Sequence, residues 1–250
     1  MANFEGRVAI ITGAGSGIGR ATAMKLAKRG ATVALSDINV DAASATLQLC
    51  QDASGKQEHM AKHLDVRSTI EINDFVGAVV AKYGSIHHVF NCAGVNPTKF
   101  ELEKITDEYW QKLVDTNLKG VFAMTRACLP HMTRGSSFVN VSSCAGLHPT
   151  AQFAVYCATK YGVIGFSKCV ALEVGPRGIR VNVVGPGVIE TPTNASVRAG
   201  QLDRVAKSVG LKRIGSADEV ADVVSFLFSE ESRYMNGSVL EIDGGFGLSM

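Results

Sequence analysis

Short apolar stretches alternate along the chain with stretches whose apolar residues recur at a helical period. Short continuous runs of Val, Ile, Leu and Ala are typical of strands buried on both faces. We predict strands near residues 7–12, 31–36, 59–65, 87–92, 136–141, 179–184 and 238–242. Regular alternation of strands and helices indicates βαβ units with right-handed crossovers. The pattern therefore predicts one α/β domain over residues 1–250, a doubly wound Rossmann fold with a seven-stranded parallel sheet.

The first predicted strand runs directly into a glycine-rich turn and then into a helical pattern. Its glycines, Gly13, Gly17 and Gly19, give the spacing G-x-x-x-G-x-G rather than the common G-x-G-x-x-G. Glycine lets the backbone turn sharply and approach a pyrophosphate, which the exposed amides and positive end of the next helix can bind. This turn, including Ser16 and Ile18, predicts a dinucleotide site.

Proton-transfer chemistry is indicated by Ser143, Tyr156 and Lys160. Tyr156 and Lys160 are four residues apart, so on a helix they share one face. A nearby ammonium favours the phenolate, which would bring the pKa of Tyr156 down from about 10 towards a useful range. Ser143 could then hold a substrate oxygen. The alternative for so short a pattern is an ordinary surface turn of helix, but it follows a dinucleotide motif in the expected order.

Cofactor choice is predicted from Asp37, which ends the second strand. A carboxylate there accepts both ribose hydroxyls and repels a 2′-phosphate, so it favours NAD(H) over NADP(H). Neither Ser16 nor Ile38 supplies the basic group that a 2′-phosphate needs. The alternative for Asp37 is a helix cap. Arg20, one residue after Gly19, could reach a phosphate of the cofactor, so NADP(H) stays an alternative.

Composition excludes several classes of function. With 250 residues, 46% of them hydrophobic, and a net charge of +2, the chain has enough apolar residues for one large core and too little positive charge to suggest nucleic acid. We see no basic and apolar leader and no apolar run long enough for a bilayer, so we expect a cytoplasmic protein without membrane contact.

The six cysteines lack metal-ligand spacing, so no metal is predicted. Cys92, Cys144 and Cys157 fall beside motifs, although small buried filler is the simpler interpretation.

The ordered motifs resemble the classical short-chain dehydrogenase/reductase family from about Gly6 to Gly245. The matching segments are Thr12-Gly13-(x3)-Gly17-Ile18-Gly19, Asp65-Val66, Asn91-Cys92-Ala93-Gly94, Asn117-Leu118-Lys119-Gly120, Ser143, Tyr156-(x3)-Lys160 and Pro186-Gly187. The resemblance implies a catalytic tetrad of Asn117, Ser143, Tyr156 and Lys160, with Asn117 holding a relay water. It also implies cofactor contacts by Asp65, Val66, Asn91, Ala93, Gly94, Tyr156, Lys160, Pro186, Gly187, Ile189 and Thr191. Cys92 departs from the family's usual Asn-Asn-Ala-Gly.

The same resemblance implies a mobile lid over the substrate near residues 190–214. It also implies a homotetramer formed through helices near 106–132 and 154–175 and through the C-terminal strand. Apolar residues of the second helix supply physical support for the tetramer: Ala158, Val163, Ile164, Phe166, Val170 and Leu172. Basic residues near the lid could attract an anionic substrate or an acyl carrier, but a solvated face is the simpler interpretation. These residues are Arg198, Arg204, Lys207, Lys212 and Arg213.

The substrate pocket is predicted to include Ser143, Tyr156 and Gly187, with Asn96, Cys144, His148 and Gln152 as further candidates. For His148 a turn or surface position is the simpler interpretation. The motifs favour an NAD-dependent dehydrogenase or ketoreductase acting on a secondary alcohol or ketone. Two alternatives stay open, a 3-oxoacyl (carrier-protein) reductase using NADPH and a catalytically silent dinucleotide-binding scaffold. No nucleic-acid or membrane partner is predicted.

Overall fold

The strands follow the predicted order along the chain. In this computed structural model, which describes residues 3–54, 57–192 and 206–246, they are β1 (Val8–Thr12), β2 (Thr32–Asp37), β3 (Met60–His63), β4 (Ile86–Asn91), β5 (Met132–Val141), β6 (Arg180–Pro186), β7 (Ile189–Glu190), β8 (Gly215–Ser216) and β9 (Val239–Ile242). Seven of them form one parallel sheet in the order β3-β2-β1-β4-β5-β6-β9. The order reverses between β1 and β4, the position at which doubly wound sheets bind ligands.

Helices cover both faces of the sheet. They are α1 (Gly17–Lys28), α2 (Val40–Ser54), α3 (Thr69–Tyr83), α4 (Asp107–Val114), α5 (Gly120–Cys128), α6 (Ala154–Val174) and α7 (Ala217–Phe228). Buried side chains of α1, α2 and α7 pack with Ala9 and Ile11 of β1, while those of α3, α5 and α6 pack with Val8 and Ile10. Successive side chains of a strand point to opposite faces, so β1 is buried on both sides. The seven-stranded Rossmann prediction is therefore confirmed.

The helix predicted near 106–132 is not uniform. A π-helical turn (Asp115–Lys119) joins α4 to α5, and a 3₁₀ turn (Leu129–His131) with Pro130 in its first positions follows α5. Proline lacks the amide hydrogen that a continuing helix needs, so α5 ends there. Strand β5 then begins at Met132, earlier than predicted, with an irregular pairing to β4 between Ile86 and His88. The helix near 154–175 agrees with α6.

The predicted lid lies mostly outside the described residues, which omit 193–205. The two ends of the segment meet, because β7 and β8 pair in parallel through Ile189 with Gly215 and Glu190 with Ser216. Ser216 then caps α7 by accepting a hydrogen bond from the Glu219 amide, and the Glu219 carboxylate accepts one from the Ser216 amide. Among the described residues, none of the helices combines the length and the apolar character needed to cross a membrane.

Candidate active site

The first part of the site is the amino-terminal end of α6, which carries Tyr156 and Lys160. The Lys160 ammonium lies 5.6 Å from the centre of the Tyr156 ring and donates a hydrogen bond to the Val141 carbonyl at 3.0 Å. The Ser142 hydroxyl donates to the Lys160 carbonyl at 2.9 Å. The end of β5 therefore holds Lys160 through both its side chain and its backbone.

Ser143 follows β5 and begins a 3₁₀ turn (Cys144–Gly146). Its hydroxyl accepts a hydrogen bond from the Ala145 amide at 3.2 Å and also bonds the Tyr156 phenol. Because the turn packs closely on α6, a Cβ atom on Gly146 would lie only 3.0 Å from the Lys160 carbonyl oxygen. This close approach brings Ser143, Tyr156 and Lys160 into one group.

The ionisation of Tyr156 differs from the prediction. Burial raises the pKa of Tyr156 to about 12, and the Ser143 hydrogen bond opposes that rise only in part. Burial also lowers the pKa of Lys160 from 10.5 to about 8. Burial disfavours the charged form of either side chain, and it is the largest cause of both shifts. The expectation that Lys160 brings the pKa of Tyr156 down is therefore wrong for this structure.

Asn117 lies in the π-helical turn between α4 and α5 and is fully buried. Its side-chain carbonyl accepts from the Val95 amide at 2.8 Å, and its side-chain amide donates to the Val95 carbonyl at 3.1 Å. A Cβ atom on Gly94 would lie 3.1 Å from the Asn117 side-chain oxygen and 3.8 Å from the Lys160 nitrogen. Asn117 thus fixes the backbone beside Lys160, and its role with a relay water stays a prediction.

The glycine turn has the geometry expected of a phosphate cradle. A Cβ atom on Gly19 would lie 2.1 Å from the Gly13 carbonyl oxygen, and one on Gly13 would lie 2.9 Å from Ala93. Gly13 and Gly17 have φ angles of 66° and 50°, in the left-handed region that favours glycine. Thr191 closes over this turn, because a Cβ atom on Gly17 would lie 2.9 Å from its methyl group. The turn therefore presents backbone rather than side chains to a ligand.

Asp37 lies at the end of β2 with both carboxylate oxygens hydrogen-bonded to backbone. One oxygen accepts from the Gly15 amide at 2.8 Å and the other from the Asn39 amide at 2.9 Å. Arg20 turns back over the glycine turn, donating to the Gly15 carbonyl at 2.5 Å and to the Thr46 hydroxyl at 3.0 Å. The contact with the Asn39 amide is the cap that the alternative interpretation of Asp37 predicted. The contact with the Gly15 amide places the same carboxylate at the glycine turn.

Two adjoining cavities unite most of the predicted cofactor residues. The first, of about 290 Å³, is lined by Gly13, Ser16, Gly17, Ile18, Gly19, Asp37, Ala93, Gly94, Ser143, Tyr156, Lys160, Pro186, Gly187, Ile189 and Thr191, together with Cys92, Val95, Asn96, Val141 and Ser142. The second, of about 260 Å³, includes Asp65 and Val66 and shares Asp37 with the first. These residues, from distant parts of the chain, suit an extended dinucleotide, with the glycine turn for its phosphates and Asp37 for a ribose.

Two of the predicted cofactor residues, Asp65 and Asn91, make side-chain contacts with other residues of the protein. The Asp65 carboxylate pairs with the Arg67 guanidinium, and that contact lowers its pKa. Asn91 lies in the core, where its amide donates to the Asn140 side-chain oxygen at 2.8 Å, and it is not among the residues that line either cavity. Its contact with a cofactor therefore stays a prediction.

The substrate candidates divide into two groups. Asn96 and Gly187 line the first cavity together with the catalytic residues, whereas Cys144, His148 and Gln152 are not among its described lining residues. His148 instead contacts the Glu241 carboxylate at 3.0 Å, and Gln152 donates to Glu101 at 2.5 Å. The surface interpretation of His148 fits this position. Burial raises the pKa of Cys144.

Sequence reasoning missed the role of Thr12 at the end of β1. Its hydroxyl accepts hydrogen bonds from the amides of Cys92 and Ala93, both at 3.1 Å, and so joins the segment after β4 to the glycine turn. The pair Thr12-Gly13 in the motif was the available signal. Cys92 itself lines the first cavity, and burial raises its pKa to about 12, so it is a neutral thiol at physiological pH.

The fold and site together define an oxidoreductase that uses a nicotinamide dinucleotide, and comparison with known proteins agrees. Residues 13–247 match the family described as Enoyl-(Acyl carrier protein) reductase. The chain is 40% identical to 3-oxoacyl-[acyl-carrier-protein] reductase FabG of Thermotoga maritima over 97% of this chain and 98% of that protein. It is 35% identical to cyclohexanol dehydrogenase of Acinetobacter sp. strain SE19, over 97% and 96% of the two chains.

A solved structure of a short chain dehydrogenase from Burkholderia cenocepacia in complex with NADP superposes with a TM-score of 0.92 at 30% identity, covering 98% of this chain and 99% of that one. The protein belongs to the classical short-chain dehydrogenase/reductase family. A nicotinamide dinucleotide is thus its cofactor class.

Proposed function

We propose that the protein is an NAD(H)-dependent dehydrogenase or ketoreductase acting on a secondary alcohol or its ketone. The observation that carries the proposal is the shared cavity in which Ser143, Tyr156 and Lys160 lie beside the glycine turn and Asp37. Proton-transfer groups and a dinucleotide cradle in one cavity suit hydride transfer coupled to proton transfer at a carbonyl.

Each side chain has a defined part in this chemistry. The bound cofactor supplies the hydride donor or acceptor, while Ser143 holds the substrate oxygen by a hydrogen bond. In the reducing direction Tyr156 gives its phenolic proton to that oxygen, and in the oxidising direction it takes the proton back. Lys160, held by the Val141 carbonyl, supplies positive charge 5.6 Å from the ring. Asn117 keeps the Val95 backbone in place beside it.

The preference for NAD(H) is supported by Asp37. Its carboxylate faces the junction of the two cavities, and backbone amides of Gly15 and Asn39 fix both oxygens. The oxygens can still accept ribose hydroxyls, whereas a 2′-phosphate would lie against a fixed negative charge. The related B. cenocepacia structure holds NADP, so the proposal of NAD(H) preference rests on Asp37 of this chain.

Reduction of a 3-oxoacyl thioester is the second candidate, and the 40% identity to the T. maritima reductase favours it. One of the basic residues available to attract an acyl carrier already has a partner, because Arg213 pairs with Glu219 through two hydrogen bonds of 2.9 and 2.6 Å. Arg198 and Arg204 lie outside the described residues. An acyl-thioester substrate with NADPH preference would favour this candidate over the first.

We also propose a cytoplasmic homotetramer. Less apolar surface is available for subunit contacts than the sequence suggested, because Val163, Ile164 and Val170 are buried within the subunit. Leu172 is 82% exposed, and Phe122 is partly exposed. An assembly contact through these helices would bury those side chains, and light scattering after size-exclusion chromatography tests it, a monomer being the refuting result.

The first experiment is fluorescence titration with NADH and with NADPH, followed by turnover assays with cyclohexanol, cyclohexanone and an acetoacetyl thioester. We expect tighter NADH binding, and turnover that Tyr156→Phe reduces by at least about 100-fold, the scale of general acid–base catalysis. NADH binding should survive in that variant. Tyr234→Phe, at a fully exposed position, is the matched control. Full turnover by Tyr156→Phe would contradict the proposed mechanism.

A further inference from the structure

The side chain of Arg20 lies in an unexpected place. It belongs to the first turns of α1, where its amide donates to the Ser16 carbonyl at 3.1 Å. The guanidinium turns back over the glycine turn, where one nitrogen reaches the Gly15 carbonyl and the Nε reaches the Thr46 hydroxyl. Its contacts are thus with the protein's own loop and with α2.

Thr46 is a fixed partner for this arginine. Its side chain is fully buried in α2, and its hydroxyl donates to the Ala42 carbonyl at 3.2 Å while accepting from Arg20 at 3.0 Å. The hydroxyl therefore uses its proton and a lone pair on defined partners. A planar guanidinium held at two nitrogens is far more restricted in orientation than a lysine ammonium would be.

Gly15 is consequently held from two sides. Arg20 binds its carbonyl oxygen at 2.5 Å, and Asp37 accepts a hydrogen bond from its amide at 2.8 Å. Space around this glycine is small, because a Cβ atom there would lie 2.8 Å from the Asp37 carboxylate oxygen and 2.9 Å from the Ala42 Cβ. The orientation of the Gly15 backbone and the position of the Asp37 carboxylate are therefore coupled.

We propose that Arg20 and Thr46 are positioning residues for cofactor selectivity. By fixing the Gly15 backbone they keep its amide directed at Asp37, so that the carboxylate stays at the junction of the two cavities. A fixed carboxylate meets the ribose hydroxyls of NAD(H) without reorganisation. NADP(H) would require the carboxylate to move away from the 2′-phosphate, and the arginine contact resists that movement. Arg20 thus favours NAD(H) although its own charge would suit a phosphate.

The test is direct titration of NADH and NADPH into Thr46→Val, Arg20→Met and the double variant, with thermal unfolding recorded for each. Valine matches the shape of threonine and replaces the hydroxyl by a methyl group, which cannot accept a hydrogen bond. Loss of one hydrogen bond of typical strength predicts NADH binding weakened by about 5- to 10-fold, with NADPH affected less. The double variant should lose little more than Arg20→Met alone, because the two side chains act as a unit.

A matched control is Lys25→Met, since Lys25 lies on the same helix and pairs with Asp222 instead. Unchanged NADH binding in Thr46→Val and Arg20→Met would overturn the proposal, and so would equal weakening of both cofactors. A larger loss for NADPH would identify Arg20 as a phosphate ligand and also overturn it. If Arg20→Met fails to fold, Thr46→Val decides by the same criteria.

This inference rests on the proposed NAD(H) preference, which the unmodified protein tests first. A preference for NADPH in the unmodified protein would refute both the preference and the positioning role. An NADH preference that persists unchanged in both variants would refute the positioning role alone.

Discussion

Replacing Lys160 by methionine should make the protein more stable while it removes activity. Burial lowers the pKa of Lys160 from 10.5 to about 8, because the side chain keeps only 5% of its exposure. One pKa unit corresponds to about 1.4 kcal/mol, so holding the charged form at neutral pH costs roughly 3 kcal/mol of folding free energy. Methionine avoids that cost and fills most of the same space.

The gain is partly offset by the hydrogen bond that the ammonium donates to the Val141 carbonyl. Leaving that acceptor without its donor costs about 1–2 kcal/mol. We therefore expect Lys160→Met to raise the free energy of unfolding by about 1–2 kcal/mol at pH 7. Activity should fall to background, because the ammonium beside Tyr156 is gone.

The pH dependence of the stability difference between Lys160→Met and the unmodified protein shows whether the buried ammonium causes it. The unfolded chain keeps the Lys160 proton up to about pH 10.5, whereas the folded protein releases it near pH 8. Stability of the unmodified protein therefore rises with pH between these values, by about 1.4 kcal/mol per unit, and the variant lacks this gain. The advantage of Lys160→Met should shrink by about 2 kcal/mol between pH 7 and pH 9.5.

Urea unfolding at both pH values, at one protein concentration, measures this difference. Lys168→Met is the control, because Lys168 is an exposed lysine on the same helix. A Lys160→Met advantage that is equal at pH 7 and pH 9.5 would show that the ammonium is not desolvated, and the reasoning above would fail.

Three further predictions concern the turn, the core and the catalytic pH profile. Gly19→Ala should abolish NADH binding in titrations, because its Cβ would lie 2.1 Å from the Gly13 carbonyl oxygen, whereas Gly77→Ala, with open space around it, should be stabilising by about 0.5–1 kcal/mol. Burial lowers the pKa of His88 from 6.5 to about 3, so urea unfolding should show stability lost as pH falls below 6.5, by up to about 1.4 kcal/mol per unit, and His88→Gln should flatten that slope. The kcat/KM for ketone reduction should decline above about pH 8, where Lys160 loses its proton.

Each of these has a contrary result. NADH binding that survives Gly19→Ala would mean that the turn relaxes easily, and an acid slope equal in His88→Gln and the unmodified protein would assign that slope to other groups. A reduction rate that stays constant from pH 7 to pH 9.5 would mean that the charge on Lys160 is not needed for proton transfer.

The sheet and the glycine turn were predictable because their signals are local. A strand buried on both faces requires a continuous apolar run, and the turn after β1 requires glycine wherever a Cβ would strike the backbone. Asp37 could be identified for the same reason, since it closes an apolar run at the carboxyl end of the sheet.

Properties that depend on distant contacts were not predictable in this way. The π-helical turn at Asn117 exists where the helix must bring an amide against the Val95 backbone, 22 residues away in the chain. The direction of the Tyr156 pKa shift depends on how far the folded chain buries the phenol, which spacing along the chain does not reveal. The sequence predicted that Ser143, Tyr156 and Lys160 would lie together, as they do in the first cavity, but not the direction of the Tyr156 pKa shift.

That outcome bears on the proposed mechanism. With the pKa of Tyr156 raised to about 12 and that of Lys160 lowered to about 8, the phenol keeps its proton throughout the physiological range and the ammonium is close to losing its own. A protonated phenol is the form needed to give a proton to a carbonyl oxygen, so the site is ready for reduction without any change in ionisation. Oxidation first requires stabilisation of the phenolate, and the groups in place for it are the Ser143 hydroxyl and the Lys160 ammonium. The same burial that makes Lys160 costly for folding therefore keeps its charge unscreened beside Tyr156, where the reaction needs it.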